Sequence, residues 1–250
     1  MLGDSFLDLS PIALLIFMSV VFVAAFVRGY SGFGFSTILM IGAMPVIPPA
    51  QLVPLSIALE ILASASQAPK ILSGINRRYL AILLAASLLG VPVGVYLLTY
   101  AVEELIRMAI YVIVLSMTFL LLVWRPKPLS PSDTHLVVAG FIAGAVNGAT
   151  ALSGLVLALF FTASTASSRT MRATMIGYMF FTDVITGGLL LAADHYDANT
   201  VWRGLAALPL LLAGVWLGSW RFFATPSGSF KTVVIWLVML FCAAGLLQFI

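Results

Sequence analysis

The stretch RGYSGFGFST, residues 28–37, interrupts an otherwise apolar chain with three glycines and several hydroxyl side chains. About half a chain later, residues 147–154 read NGATALSG and repeat this composition. A helix broken in the hydrocarbon layer frees backbone groups that no water can reach, so such breaks persist only where they are buried in protein or line a cavity. In secondary transporters that cavity commonly holds the substrate. The two stretches together therefore predict a binding site at membrane depth.

Composition places the chain in a lipid bilayer. Its 250 residues are 62% hydrophobic and only 8% charged, with a mean hydropathy of +1.14. Apolar runs close to the roughly 20 residues that span a membrane recur throughout. A net charge of +3 leaves no basic face for a row of phosphates, which excludes nucleic-acid binding. The single cysteine, Cys242, forms no internal disulfide and fits no metal-binding pattern, so we expect neither a metal nor a cofactor.

Ten segments follow one another as two series of five. We expect the first repeat in residues 1–127 and the second in residues 128–250, both within one integral membrane domain. The GVPVG of residues 90–94 matches the GVWLG of residues 214–218, which is typical of an internal duplication. The predicted segments are A (9–27), B (31–47), C (50–68), D (79–100), E (105–124), A′ (135–147), B′ (151–165), C′ (171–192), D′ (203–222) and E′ (231–249).

The charged residues between these segments predict their orientation. Cytoplasmic loops of membrane proteins carry an excess of Lys and Arg. The basic residues between the segments or at their loop ends are Lys70, Arg77, Arg78, Arg125, Lys127, Arg169, Arg172 and Arg221. The acidic residues of the remaining loops are Asp4, Asp8, Glu103, Glu104, Asp194 and Asp197. We therefore expect the basic loops to be cytoplasmic and both chain termini to lie outside.

An odd number of segments per series inserts the second series upside down relative to the first. This is the inverted-repeat architecture of many secondary transporters. The predicted fold is an all-α polytopic membrane protein with two inverted-topology repeats of five elements each and eight to ten transmembrane segments, some of them broken or re-entrant. A–B and A′–B′ are either full spans or re-entrant hairpins, and the short A′ favours a hairpin in the second half.

The first break is suited to binding an anion. A half-helix beginning at Ser31–Gly32 would present unpaired N–H groups and the positive end of its dipole, and Ser36 or Thr37 would add a hydroxyl donor. Arg28, which aligns with Asn147 of the second break, would supply a fixed positive charge. The alternative is that the glycines only let helices pack closely, and that Arg28 anchors the end of helix A at the cytoplasmic surface.

Glu60 and Asp183 are the acids well inside apolar segments, at similar positions in C and C′. Carboxylates within a membrane are costly and usually serve a function, so we predict that these two couple transport to protons. Polar side chains recur beside them at helical spacing. These are Ser56, Ser64 and Gln67 in C, and Thr174, Tyr178, Thr182 and Thr186 in C′. The alternative is a structural hydrogen bond or an ion pair, with Arg28 or Arg172 as partner.

The duplicated break, the proline-rich turn PVIPPAQ of residues 45–51 and the Arg172-Ala173-Thr174 triplet of the second repeat resemble the sulfite exporter TauE/SafE family. The resemblance covers nearly the whole chain. It implies a multi-pass protein of the bacterial inner membrane that moves a small anion, such as sulfite, a sulfonate or a related organosulfur anion. The expected partners are that anion, protons and the lipid bilayer, and association into a homo-oligomer is left open.

The candidate site residues follow from the two breaks and this resemblance. We expect no catalytic residue and no metal ligand. The candidate proton-coupling residues are Glu60 and Asp183. The candidate substrate-binding residues are Arg28, Ser31, Gly32, Gly34, Ser36, Asn147, Thr150, Ser153, Gly154 and Arg172.

Two other classes of function compete with a transporter. Residues 29–32, GYSG, match the G-x-S-G pattern of rhomboid proteases, in which a histidine activates a membrane-buried serine. That reading needs a histidine at membrane depth, whereas His135 and His195 lie beside acidic residues near segment ends. A non-transporting membrane scaffold is the third class, and it would need neither two broken helices nor buried acids.

Overall fold

A computed structural model of the chain describes residues 7–124 and 130–224. In those two ranges the secondary structure is helical, with no strand, which confirms the predicted all-α class. The segment E′ at 231–249, together with Asp4, Arg125, Lys127 and Cys242, lies outside the described residues. A 3-10 turn, Leu72–Gly74, follows the third of nine described α-helices. The helices are α1 (Pro11–Ser31), α2 (Phe35–Ala43), α3 (Pro49–Ile71), α4 (Arg77–Tyr100), α5 (Glu103–Val123), α6 (Asp133–Thr150), α7 (Ser153–Thr162), α8 (Ser168–Ala192) and α9 (Ala198–Ala224).

Within the described ranges, six helices are long and apolar enough to cross a membrane: α1, α3, α4, α5, α8 and α9. The protein is therefore a multi-pass membrane protein, as its composition predicted. By contrast, α2 has 9 residues and α7 has 10. At 1.5 Å per residue they reach about 14–15 Å, half of the hydrocarbon thickness. Each follows a longer helix, so the predicted broken helices are present in both halves.

The first break differs from its predicted position. Helix α1 continues through Ser31, and α2 begins only at Phe35. Gly32, with φ 85°, closes α1 by donating its N–H to the Arg28 carbonyl, and Gly34, with φ 89°, directly precedes α2. L-residues with a side chain rarely adopt such angles, so these two glycines set the break. The expectation of a half-helix beginning at Ser31–Gly32 is therefore wrong by about one helical turn.

The second break has the same form with different residues. Helix α6 has 18 residues, so the prediction of a short A′ over 135–147 is wrong, and with it the reason for favouring a hairpin there. Ala151, with φ 59°, ends α6 and donates its N–H to the Asn147 carbonyl. Alanine rarely adopts this left-handed conformation, so the end of α6 could not be predicted from the residue type at this position. Helix α7 then begins at Ser153.

Helices from the two halves exchange partners. The first helix of one half packs along the fourth helix of the other, α1 with α9 and α6 with α4, while α3 packs against α8. Glycines allow α1 to pack closely against α9 and α6 to pack closely against α4. A Cβ atom at Gly94 would overlap the Ala145 carbonyl, and one at Gly218 would overlap the Phe26 carbonyl. This exchange is consistent with two inverted repeats, whose boundaries at 1–127 and 128–250 stay a prediction.

Candidate functional site

The two helix breaks lie side by side against α8. A Cβ atom built on Gly154, at the start of α7, would lie 3.4 Å from the Cβ of Phe33 in the first break and 3.1 Å from the Cε of Met179 in α8. A Cβ atom on Gly32 would lie 2.6 Å from the Cγ of Arg172, also in α8. Two stretches that are more than a hundred residues apart in sequence therefore line one region, as the duplicated pattern suggested.

Arg28 is completely buried beside the first break. Its Nη1 donates to the Gly32 carbonyl and lies 3.1 Å from Met179 Sδ. Its Nη2 donates to Ser64 Oγ at 2.6 Å and forms an ion pair with Glu60 Oε2 at 3.1 Å. A guanidinium held in this way inside the protein is not a surface anchor for helix α1, because its charge is balanced in the interior.

The carboxylate of Glu60 lies at the beginning of the half-helix α2. Its Oε1 accepts hydrogen bonds from the Ser36 backbone N–H at 3.3 Å and from the Ser36 hydroxyl at 2.9 Å. Glu60 is 1% exposed. The positive end of the α2 dipole, one backbone N–H, one hydroxyl and one guanidinium therefore converge on a single carboxylate, which is the donor set that binds oxyanions.

The second half carries a related arrangement, with a neutral amide in the place of the guanidinium. Asn147, the residue aligned with Arg28, donates through Nδ2 to Asp183 Oδ1 at 2.9 Å and to Thr186 Oγ1 at 3.0 Å. All three side chains are buried. Among the described residues, Asp183 Oδ2 and Asn147 Oδ1 have no hydrogen-bond partner. Arg28 contacts Met179, which lies one helical turn before Asp183 on α8, so the two arrangements are neighbours.

Other predicted site residues make local contacts. Ser31 Oγ lies within hydrogen-bond distance of the Val27 and Phe33 carbonyls, at 2.8 and 2.6 Å. Thr150 Oγ1 donates to the Val146 carbonyl of the preceding turn at 2.7 Å. Both hydroxyls therefore satisfy the backbone of their own break. Their assignment to the substrate site remains a prediction.

Arg172 and Ser153 lie closer to the junction of the two breaks. Arg172 Nη2 donates to the Gly29 carbonyl at 2.7 Å, so this arginine ties α8 to the last turn of α1. Ser153, in the first turn of α7, is completely buried, and its Oγ has no hydrogen-bond partner within the described part of the chain. Gly29 itself packs against α9, where a Cβ atom would overlap the Val215 carbonyl.

Three residues in contact with this region were not among the predicted site residues. Ser64 and Thr186 belong to the polar stripes of segments C and C′, and that spacing was the available signal. Met179 lies one helical turn before Asp183 and contacts Arg28 through its sulfur atom. Nothing in the sequence distinguishes this methionine from the other apolar side chains of α8.

Both histidines of the chain lie away from Ser31. His135 Nδ1 is 3.0 Å from the Ser132 hydroxyl, and the two residues cap the beginning of α6. His195 Nε2 is 2.9 Å from Thr99 Oγ1, in the segment between α8 and α9, where partial burial lowers its pKa. The GYSG stretch therefore has no histidine base beside its serine. In the residues that the structure describes, no three His, Cys, Asp or Glu side chains cluster to hold a metal ion.

Comparison with protein families gives a match over most of the chain. A family model described as Sulfite exporter TauE/SafE matches residues 17–246. The match includes both breaks and reaches into the predicted segment E′. No curated protein and no solved structure matches the chain.

Proposed function

The chain belongs to the sulfite exporter TauE/SafE family, and on that premise we propose that it is a secondary transporter for a small oxyanion. Sulfite, a sulfonate or a related organosulfur anion is the proposed substrate, carried by alternating access. The observation that carries the proposal is the buried Arg28 beside the first turn of α2, where guanidinium, hydroxyl and backbone N–H groups already bind a carboxylate.

The chemistry of these donors suits a sulfur oxyanion. Sulfite and sulfonates present several oxygens that share a negative charge, and each oxygen accepts hydrogen bonds as a carboxylate oxygen does. Arginine favours such ligands because its planar fork offers parallel N–H groups. A helix N-terminus adds N–H groups that point at the same ligand. Arg172 and Ser153, at the junction of the two breaks, are proposed as additional ligands.

We propose protons as the coupling ion, with Glu60 and Asp183 as their carriers. Asp183 Oδ2 and Asn147 Oδ1 are both acceptors, and over the described ranges no donor faces either atom. A proton on Asp183 would supply the missing donor. An intramembrane acid with this freedom is more consistent with proton transfer than with a purely structural role.

The proposed orientation follows the charges of the loops. The loop with Lys70, Arg77 and Arg78 and the one with Arg169 would face the cytoplasm. Both chain termini, as well as the segment between α8 and α9, would lie outside. With the two halves inverted relative to each other, rocking of one against the other would open the region between the breaks to either side.

Transport by the full-length protein in proteoliposomes tests the proposal. We expect uptake of labelled sulfite or a small sulfonate by counterflow, and faster flux when a proton gradient is imposed. Glu60→Gln and Asp183→Asn keep size and most hydrogen bonding, so both should retain counterflow and lose the response to the gradient. Failure of the wild-type protein to move or bind any of these anions would overturn the proposed function. Wild-type gradient-driven flux in both variants would eliminate proton coupling alone.

A further inference from the structure

We propose that the Glu60 carboxylate is a tethered competitor for the transported anion, which binds by displacing it from Arg28 and Ser36. The inference rests on the proposed function, because it assigns to that same site the step that links anion binding to proton uptake. In the described structure the site is thus occupied by an anion that belongs to the protein itself.

Oε1 of the Glu60 carboxylate accepts hydrogen bonds from the donors of the site, and Oε2 forms an ion pair with Arg28. Oε1 faces the backbone N–H and hydroxyl of Ser36, and Oε2 lies 3.1 Å from Arg28 Nη2. A sulfonate or sulfite group would use two of its oxygens in the same way. The donors are few and the side chains are buried, so the carboxylate and a substrate anion cannot both occupy them.

The surrounding charges decide what happens to the displaced carboxylate. Arg28 faces Glu60 from α1, and Asp183 interacts electrostatically with both from α8. Arg172, also on α8, interacts electrostatically with Arg28. The formal charges of these four groups sum to zero when all four are ionised. The helix α2 contributes no charge.

Charged groups on the other helices that pack against α3 have partners elsewhere or are exposed. Arg107 of α5 pairs with Glu103, Asp133 of α6 pairs with Arg78, and Arg203 of α9 donates to Gln51 at the beginning of α3. Glu104 and Arg221 are exposed. The buried group of four is therefore the electrostatic surrounding that a bound substrate would meet.

While Asp183 is ionised, a monoanion that enters this group adds an unbalanced negative charge at membrane depth, which is costly. The charge is balanced if the displaced Glu60 carboxylate takes up one proton. In this exchange one anion binds to Arg28 and Ser36 and one proton binds to Glu60, so the net charge of the site does not change. Anion affinity should consequently fall as the pH rises, because each binding event consumes one proton.

Binding of methanesulfonate to the purified full-length protein tests this exchange. Methanesulfonate stays ionised over the working pH range, so any pH dependence of its Kd comes from the protein. For the wild type we expect the Kd to rise about tenfold per pH unit where Glu60 is ionised. Glu60→Gln removes the competing charge but keeps the shape, so the Kd should fall at least tenfold at pH 8 and lose most of its pH dependence. Glu104→Gln, at an exposed acid, should leave both properties unchanged.

The outcomes separate this inference from the proposed function. A wild-type protein that binds neither methanesulfonate nor sulfite contradicts the function itself. A wild type that binds, with a Glu60→Gln variant of equal or weaker affinity and an unchanged pH slope, contradicts the exchange and makes Glu60 a positioning residue for Arg28.

If Glu60→Gln does not fold, infrared difference spectra of the wild-type protein decide the matter. Binding of methanesulfonate at pH 8 should produce a protonated-carboxyl band, because the displaced Glu60 takes up one proton. Absence of that band while the anion binds would overturn the exchange.

Discussion

At the scale of single residues, the arrangement around Arg28 requires a guanidinium and not merely a positive charge. The side chain reaches the Gly32 carbonyl, Ser64 and Glu60 from two nitrogens. Lysine carries its charge on one nitrogen and cannot hold a planar pair of contacts. Loss of one charge-assisted hydrogen bond costs about 1.5–3 kcal/mol. Arg28→Lys should therefore weaken binding of methanesulfonate by about tenfold or more, measured by calorimetry on folded protein.

Arg203 supplies the matched control for this change. It is also a buried arginine, 3% exposed, but its guanidinium bonds the Leu7 carbonyl and Gln51. Arg203→Lys should cost stability without changing the anion Kd. Equal affinities in the two variants would remove Arg28 from the substrate site.

The important charges could be found from the sequence because a buried charge is rare at membrane depth. Arg28, Glu60 and Asp183 stand out in apolar segments for that reason alone. That Glu60 itself occupies the donors of the first break could not be read from the sequence, since it depends on how α3 crosses α2. The contact of Met179 with Arg28 was equally hidden, because a thioether gives no polar signal.

At the scale of helices, glycines at the α4–α6 and α1–α9 crossings should resist substitution. A methyl group at Gly94 or Gly218 would overlap a backbone carbonyl of the facing helix, which cannot move aside as a side chain can. Overpacking of this kind costs about 1–3 kcal/mol. We expect Gly94→Ala and Gly218→Ala to lower the midpoint of thermal unfolding in detergent.

Gly188 gives the comparison that isolates packing from helix propensity. It lies near the C-terminal end of α8, where a Cβ atom would meet no described heavy atom within 4 Å. Gly188→Ala should leave stability unchanged or raise it by up to about 1 kcal/mol, because alanine favours the helix. If Gly94→Ala, Gly218→Ala and Gly188→Ala have the same midpoint of thermal unfolding, the close helix crossings are not the reason that Gly94 and Gly218 are needed.

Long helices were easier to predict than half-helices. The predicted D at 79–100 and E at 105–124 lie within two residues of α4 and α5, because apolar windows bounded by charges fix both ends. The half-helices α2 and α7 depend on single residues with positive φ. A run of alternating glycines and phenylalanines does not say which glycine ends α1, and Ala151 gives no sign that it ends α6.

At the scale of the whole molecule, the proposed orientation assigns each connecting segment to one side. Ser73, in the turn after α3, and Ala193, at the end of α8, are exposed and small. In a Cys242→Ala background we expect Ser73→Cys to be reached by a membrane-impermeant maleimide only after lysis. Ala193→Cys should react in cells whose cytoplasmic membrane is intact.

The reverse labelling pattern would mean that the protein is inserted the other way round. The basic loops would then no longer support the proposed orientation. Labelling of both positions from outside would contradict the proposed orientation, since α3 and α8 would then end on the same side. Transport assays on the two cysteine variants serve as the check that each is folded. Neither residue contacts the region between the breaks, so both should transport normally.

The duplication was visible in the sequence as paired glycine motifs, but the sequence did not show which helices these motifs pack against. GVPVG in α4 and GVWLG in α9 align with each other, yet in space each motif packs against the first helix of the opposite half. Sequence similarity identifies equivalent residues and leaves open which of them touch. The exchange of partners appears only once all the helices are in place.

That exchange has a consequence for how the chain is made. Helix α1 emerges from the ribosome first, whereas its glycine-matched partner α9 is among the last helices to be synthesised. Arg28 therefore enters the bilayer before Glu60 on α3 can neutralise it, and the packing face of α1 stays against lipid until most of the chain has been translated. A nascent chain that stops before α9 should be the form that membrane proteases and insertion chaperones recognise.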